Sequence, residues 1–210
     1  MTSLFPMFVK LKDRSVLVVG AGNVGESKIA GLLETGARIR VVAIEATPAV
    51  REWARQGKIA LELRPYRSSD LEDAFLAVVA TSSRTLNERI YGEAQARRVL
   101  CNVVDVPDLC DFFYPSIVRR GDLQIAVSTA GQSPSLAQKI RQQLEKQFGP
   151  AYASWVAELG ETRKLILASD LDRGQKLELL HSLVSREAAE AAIVEQRERS
   201  SEAVGSGEIA

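Results

Sequence analysis

The chain has 210 residues, of which 46% are hydrophobic and 26% charged, with 27 basic and 27 acidic side chains. This balance leaves no net charge to attract nucleic acid or an anionic membrane, and no apolar run approaches the ~20 residues needed to cross a bilayer. Two cysteines and one histidine are too few for a disulfide framework or the usual zinc sites. We therefore expect a cytoplasmic protein that binds neither nucleic acid nor membranes and has no metal site.

Between Ser15 and Asp105, short β-rich runs alternate with longer segments of helical pattern. The five runs are almost continuously apolar, as strands covered on both faces are, and they read SVLVVG, ARIRVVAI, KIALELR, FLAVVAT and VLCNVVD. Thr47 and Pro48 indicate a helix start, and Gly36 and Gly57 follow two helix ends. The alternation predicts an α/β fold with a Rossmann-like parallel sheet and about four crossovers.

A glycine-rich turn, GAGNVGES, follows the first run. Gly20, Gly22 and Gly25 have the spacing of a dinucleotide-binding turn, in which glycines permit a tight bend and a close approach of backbone to pyrophosphate. Glu45 follows about 20 residues later, where it can accept hydrogen bonds from the adenosine ribose. Because its carboxylate would repel a 2′-phosphate and no arginine follows it to reverse that preference, NAD is favoured over NADP. The alternatives are a turn that serves packing alone and a glutamate that is simply solvated.

Polar side chains follow the fourth and fifth strands. Ligands of open α/β sheets bind beyond the carboxyl ends of strands, so we predict that Thr81, Ser82 and Asn102 lie near the cofactor. Asp105 would face the nicotinamide, where a carboxylate can accept the proton that leaves with the hydride or hold a cationic substrate nitrogen. Equally, serine can cap a helix, and an aspartate before Pro107 can form a turn.

The pattern changes after Phe113, where two short runs flank the turn RRGD and predict a β-hairpin. Ser133 as N-cap and Pro134 at N1 then predict a helix. We therefore expect a nucleotide-binding domain over 1–113, a dimerisation segment with the hairpin and helix over 114–149, and a helical domain over 150–210. The last of these should break at SDLDRG and end in a frayed tail.

Three stretches together resemble the family of precorrin-2 dehydrogenase, which is also the N-terminal module of siroheme synthase. They are GAGNVGESKIAGLLETGA, the block CNVVDVPDLCDFFYPSIVRRGDLQIAVSTAGQSPSLAQKIR, and the helical tail. The resemblance implies NAD-dependent oxidation of precorrin-2 to sirohydrochlorin, and some family members also insert iron into the product. It further implies a dinucleotide domain, a middle segment through which two chains form a homodimer, and a C-terminal helical unit.

The resemblance also implies roles for individual residues. Asp105, which ends the shared NVVD, is the residue implicated in dehydrogenation. The implied cofactor contacts are Asn23, Val24, Ile44 and Glu45. The implied substrate loop comprises Ser128, Thr129, Gly131, Ser133 and Pro134.

Precorrin-2 carries many carboxylates, so its binding loop needs donors. The helix that begins near Ser133 offers backbone donors, and Arg119 and Arg120 are near in sequence, although RRGD can equally be a solvated turn. Two other functions stay open: a dehydrogenase that is also a ferrochelatase, and a regulatory module that binds NAD(H) and contacts a partner through its helical tail. A sensor would need neither Asp105 nor the serine-rich loop.

Overall fold

The structure is a computed structural model that describes residues 4–184. It divides the chain into two compact units, whose boundary lies between Tyr114 and Pro115. The further boundary expected near residue 150 stays a prediction, and the expected frayed tail falls largely on residues 185–210, outside the described residues. No helix within 4–184 is long and apolar enough to cross a membrane.

The first unit contains a five-stranded parallel sheet. Its strands are β1 (Ser15–Ala21), β2 (Arg38–Ala46), β3 (Ala60–Leu63), β4 (Leu76–Val79) and β5 (Leu100–Val103). They are arranged in the order β3-β2-β1-β4-β5, and every neighbouring pair is parallel, which confirms the Rossmann-like sheet. The order reverses beside β1, so the carboxyl ends of β1 and β4 border the crevice where such sheets bind ligands.

Three of the four connections contain an α-helix: α1 (Asn23–Leu33), α2 (Pro48–Arg55) and α3 (Arg84–Arg97). Thr47 caps α2 as predicted, because its hydroxyl accepts from the Val50 amide at 3.3 Å. The link between β3 and β4 is instead a 3₁₀ turn, Ser68–Leu71. That segment buries the carboxylate of Asp70 rather than an apolar helical stripe, and so it does not form a full helix.

Both faces of the sheet are covered, because successive strand residues point to opposite sides. Val16 and Val18 of β1 pack in one apolar cluster with Ile29 of α1, whereas Leu17 and Val19 lie in a second cluster with α3. Cys101 belongs to the second cluster, which confirms that it packs as a small hydrophobe. Burial raises the pKa of Cys101 to about 12, so its thiol stays protonated at neutral pH.

The second unit begins with the predicted hairpin, formed by β6 (Ser116–Arg120) and β7 (Leu123–Val127) in antiparallel register. Three helices follow, namely α4 (Pro134–Gln147), α5 (Tyr152–Ala168) and α6 (Arg173–Ser182). The break predicted at SDLDRG separates α5 from α6, where the Asp172 carboxylate caps α6 by accepting from the amides of Gly174 and Gln175.

A buried ion pair holds the 3₁₀ turn to the sheet. Arg64 donates to both carboxylate oxygens of Asp70, at 2.9 and 2.6 Å, and the Arg67 amide donates at 2.8 Å. Arg40 of β2 adds a second cation at 3.5 Å. Burial by itself would raise the pKa of Asp70, but the hydrogen bonds from Arg64 and Arg67 outweigh it and hold that pKa below its usual value.

Asp70→Asn should lower the free energy of unfolding at pH 7 by about 2 kcal/mol, because it removes the buried carboxylate that Arg64 and Arg40 share and leaves both cations with only the more exposed Glu62. A carboxyl with a lowered folded-state pKa stabilises the protein above its unfolded pKa of about 3.9, and that stabilisation is lost as the pH falls through the folded value. Urea unfolding should therefore show the wild type's advantage shrinking below about pH 4. An advantage that is constant between pH 7 and pH 3, or one equalled by the exposed control Asp73→Asn, would contradict this account.

Candidate functional site

At two positions of the turn between β1 and α1, only glycine fits. Gly20 has a φ of +100°, and a Cβ on it would lie 2.3 Å from the carbonyl oxygen of Ala80. A Cβ on Gly25 would lie 2.2 Å from the carbonyl oxygen of Gly20. These contacts bring the start of α1 directly against the ends of β1 and β4, so the glycines are required for packing whatever the turn binds.

Gly22 differs from its two neighbours, because no atom lies within 4 Å of the position that a Cβ would take. It is the N-cap of α1, and no side chain caps that helix. The first amides of a helix have no acceptor within it, so those of Asn23, Val24 and Gly25 are available to an external anion. The open space at Gly22 and these donors fit the pyrophosphate of a dinucleotide.

The end of β2 lies beside this turn, because Ala21 pairs with Ala46 after a shift in register. Ile44 is 76% exposed and Glu45 is also exposed, which leaves one apolar and one acidic side chain open to a ligand. Arg51 of α2 lies here too, since its Nε donates to the Ala46 carbonyl at 3.1 Å. The sequence carries no local signal for this arginine, because Arg51 reaches the end of β2 only through the fold of α2.

Some of the polar residues after β4 form hydrogen bonds with the start of α3. The Thr81 hydroxyl lies 2.6 Å from the side-chain oxygen of Asn87, and it accepts from the Ser83 amide. Ser83 is the N-cap of α3, which leaves the exposed Ser82 without that role. Of the two predicted cofactor neighbours, only Ser82 therefore has a side chain that is not engaged by α3.

The side chain of Asn102 supports a loop, and its predicted place near the cofactor stays a prediction. It is 5% exposed, and its amide nitrogen donates to the Phe112 carbonyl at 2.7 Å and to Cys110 Sγ at 3.2 Å. Asn102 therefore ties β5 to the segment that returns past it. Its strand-end position in the sequence carries no signal of this, because the partners come eight and ten residues later.

Asp105 occupies a tight turn two residues beyond β5, and its side chain is exposed. Its φ of +62° lies in the left-handed region, which aspartate tolerates better than most residues. The Val106 amide donates to the Val103 carbonyl across the turn at 3.1 Å, and the Cys110 thiol lies 3.2 Å from the carbonyl oxygens of both valines. Asp105 is thus both the turn-former and an exposed carboxylate at the ligand edge of the sheet.

In the second unit, hydrogen bonds within the serine-rich loop hold its conformation. Ser128 Oγ accepts from the Ala130 amide at 3.1 Å, and Thr129 Oγ1 accepts from the Ser133 amide at 3.1 Å. Ala130 and Gly131 both have a positive φ, at 50° and 81°. Because the Ser128 and Thr129 oxygens act as acceptors here, their hydroxyl protons remain available to a ligand.

The N-terminus of α4 offers fewer donors than the sequence analysis expected. Ser133 caps it, accepting from the Leu136 amide at 3.3 Å, and Pro134 at N1 has no N–H. The Leu136 amide is therefore already bonded and Pro134 has none to offer. In the first turn of α4, only the Ser135 amide remains available to an anion. Hydroxyl groups rather than the helix end must therefore supply most of this loop's donors.

The guanidinium of Arg120 binds the end of α4, and its predicted contact with the substrate stays a prediction. Its Nε donates to the Phe148 carbonyl at 2.8 Å, and its Nη2 donates to the Glu145 carbonyl at 3.2 Å. Such contacts satisfy carbonyl groups that a helix end leaves unpaired. Arg120 is therefore a structural residue, whereas Arg119 is exposed on β6.

Two family models match the chain. One, described as "Putative NAD(P)-binding", covers residues 7–116, and "Sirohaem biosynthesis protein central" covers residues 120–147. The chain is similar to the siroheme synthases of Salmonella paratyphi A and Shigella boydii serotype 18, with 43% and 44% identity over 140 residues. Those residues are 67% of this chain and 31% of each relative, so the match spans about a third of the length of these relatives.

The fold is similar to that of the solved structure of SirC, precorrin-2 dehydrogenase. The TM-score is 0.80 and the identity 30%, over 93% of this chain and 96% of that one. The chain belongs to the precorrin-2 dehydrogenase family. As a member of this family it is an oxidoreductase, and its first unit binds a nicotinamide cofactor.

Gly22→Ala should leave the family fold intact and weaken dinucleotide binding about tenfold or more, because the new methyl group would occupy the space left for the pyrophosphate. Calorimetric titration with NAD and a thermal melt measure the two effects. Gly31→Ala is the matched control, since Gly31 lies on the same helix with open space around it. That control should raise the melting temperature slightly and leave affinity unchanged. Equal NAD affinities in Gly22→Ala and Gly31→Ala would show that Gly22 does not contact the dinucleotide.

Proposed function

We propose that the chain is an NAD-dependent precorrin-2 dehydrogenase that forms sirohydrochlorin in siroheme biosynthesis. The observation that carries the proposal is Asp105, an exposed carboxylate held beyond β5 on the edge of the sheet where β1 leads into the open glycine turn. The similarity to SirC, precorrin-2 dehydrogenase, supports the choice of substrate. The balanced reaction is precorrin-2 plus NAD⁺ giving sirohydrochlorin, NADH and one proton.

The cofactor would lie along the carboxyl ends of β2, β1 and β4. We propose that the amides of Asn23 and Val24 hold its pyrophosphate, that Glu45 accepts from the adenosine ribose, and that Ile44 packs against the adenine. Held by these residues, NAD would supply the acceptor for the hydride that the substrate loses. Gly20, Gly22 and Gly25 bring the backbone close enough for these contacts.

The substrate's second hydrogen leaves as a proton, for which Asp105 is the proposed acceptor. Its exposed carboxylate can take that proton and release it to solvent. We propose that Ser128, Thr129 and the loop around Gly131 donate to substrate carboxylates. We also propose that Ser133 shapes this loop and that Arg119, which pairs with Gln124 in the hairpin, supplies a positive charge to the same substrate.

The protein is proposed to act in the cytoplasm as a homodimer formed through 114–149. Family resemblance supports the dimer and the segment that forms it. Sedimentation or light scattering of the purified chain would measure its mass in solution. A single-chain mass at working concentrations would refute the dimer while leaving the dehydrogenase proposal intact.

Anaerobic incubation with precorrin-2 and NAD tests the reaction. NADH absorbance and the spectrum of the macrocycle should change together at one NADH per sirohydrochlorin. Failure to exceed the enzyme-free rate, in a protein that still binds NADH, would favour the regulatory module. Ferrous iron added after the oxidation would reveal ferrochelatase activity as further accumulation of siroheme above the enzyme-free control.

Asp105→Asn should reduce turnover by about 10²-fold or more and leave NAD affinity within about twofold. Asparagine is the matched replacement because it also tolerates a positive φ, whereas Asp105→Ala would add backbone strain of about 1 kcal/mol to the chemical change. Single-turnover rates and a NAD titration separate the two properties. Wild-type turnover in Asp105→Asn would show that Asp105 forms the turn but is not the proton acceptor.

Glu45→Gln should narrow the preference for NAD over NADP. Loss of a charge-assisted hydrogen bond weakens NAD binding by about tenfold, and loss of the negative charge favours a 2′-phosphate. Arg51 could then contact that phosphate, so Arg51→Ala in the same chain should cancel the gain in NADP affinity. An unchanged ratio of NAD affinity to NADP affinity in Glu45→Gln would show that the adenosine ribose does not bind Glu45.

A further inference from the structure

The ammonium group of Lys28 lies against an aromatic ring, a contact that the sequence alone does not indicate. It lies in the second turn of α1, and its Nζ is 4.0 Å from the centroid of the Tyr114 ring. The residue is half-buried. A lysine at this depth usually extends its ammonium group to water, whereas this one caps an aromatic face.

Lys28 and Asp105 interact electrostatically through space. No carboxylate in the described part of the chain forms an ion pair or a hydrogen bond with Lys28. Burial lowers the pKa of Lys28, and the negative charge of Asp105 partly restores it. A cation that has lost part of its hydration, and that has no direct anionic partner, interacts more strongly with an incoming anion than a fully solvated one.

The position of Lys28 separates it from the proposed pyrophosphate site. It is five residues beyond Asn23, which places it about 7 Å along the helix from the first amides. Its ammonium group lies at Tyr114, which follows the Asp105 loop, and not at the glycine turn. The anion it could reach therefore belongs to a molecule that approaches Asp105.

We propose that Lys28 binds a carboxylate of the substrate next to Asp105. This inference rests on the proposed function, whose substrate carries many ionised carboxylates. An acid group that approaches Asp105 is repelled by it, and a neighbouring ammonium offsets that repulsion. Lys28 would thus fix which edge of the macrocycle meets the proton acceptor, and it is a substrate-binding residue rather than the acceptor itself.

The test compares Lys28→Met, Lys28→Arg and the control Lys58→Met in the full chain. Lys58 is exposed and precedes the amino end of β3, so its loss removes one positive charge at the opposite edge of the sheet. The measurements are KM for precorrin-2, KM for NAD, kcat, thermal midpoint, and the Kd of sirohydrochlorin titrated by absorbance. Lys28→Gln replaces Lys28→Met if the latter does not fold.

Lys28→Met should raise KM for precorrin-2 and Kd for sirohydrochlorin by about tenfold, which is the loss of one charge-assisted contact. KM for NAD should stay within about twofold, and Lys28→Arg should restore most of the affinity. A residue that only packs against Tyr114 would lower the thermal midpoint and kcat with an unchanged KM and Kd, and that result would overturn the inference.

Failure of the proposed function has a different signature, since the wild type would then form no NADH from precorrin-2. The sirohydrochlorin titration still decides the inference in that case. Weaker binding to Lys28→Met than to wild type would support it. Equal binding to both chains, or binding to neither, would overturn it.

Discussion

The contact between Gly25 and Gly20 is the constraint on which the first unit depends. The backbone of α1 approaches β1 so closely that a methyl group on Gly25 would lie 2.2 Å from the Gly20 carbonyl oxygen, and Gly20 is pressed in turn against Ala80 beyond β4. This approach lets Ile29 of α1 join the apolar cluster on one face of the sheet. The same approach directs the uncapped amides of α1 toward the crevice beside β1. Packing and ligand binding therefore share one cause.

A second local structure holds the proposed proton acceptor in place. Asn102 and the Cys110 thiol bind the segments on either side of Asp105, and the Asp111 carboxylate accepts from the Cys101 amide and from Gln95 at 2.8 Å each. The segment CNVVDVPDLCD thus contains the proposed proton acceptor, Asp105, and several residues that hold its turn.

The sequence predicted most of the first unit because its signals are local. Apolar runs, capping residues and glycine spacing each act within a few positions, and they placed all five strands, the hairpin and the cap of α2 correctly. Roles that depend on contacts across the fold were not predictable in this way. Arg120 binds carbonyls 25 and 28 residues later, and Arg51 comes to the end of β2 by way of α2. Lys28 contacts the ring of Tyr114, which lies far along the chain beyond β5.

The proposed mechanism requires that the exposed turn at Asp105 face the reactive end of a nicotinamide cofactor bound at the glycine turn. A crystal structure of the NAD complex would test this arrangement. It should show pyrophosphate oxygens on the amides of Asn23 and Val24, with the nicotinamide ring facing the Asp105 carboxylate across a gap that admits one flat macrocycle, about 7–8 Å. A nicotinamide ring directed away from β5, with Asp105 open to solvent on the far side, would contradict it.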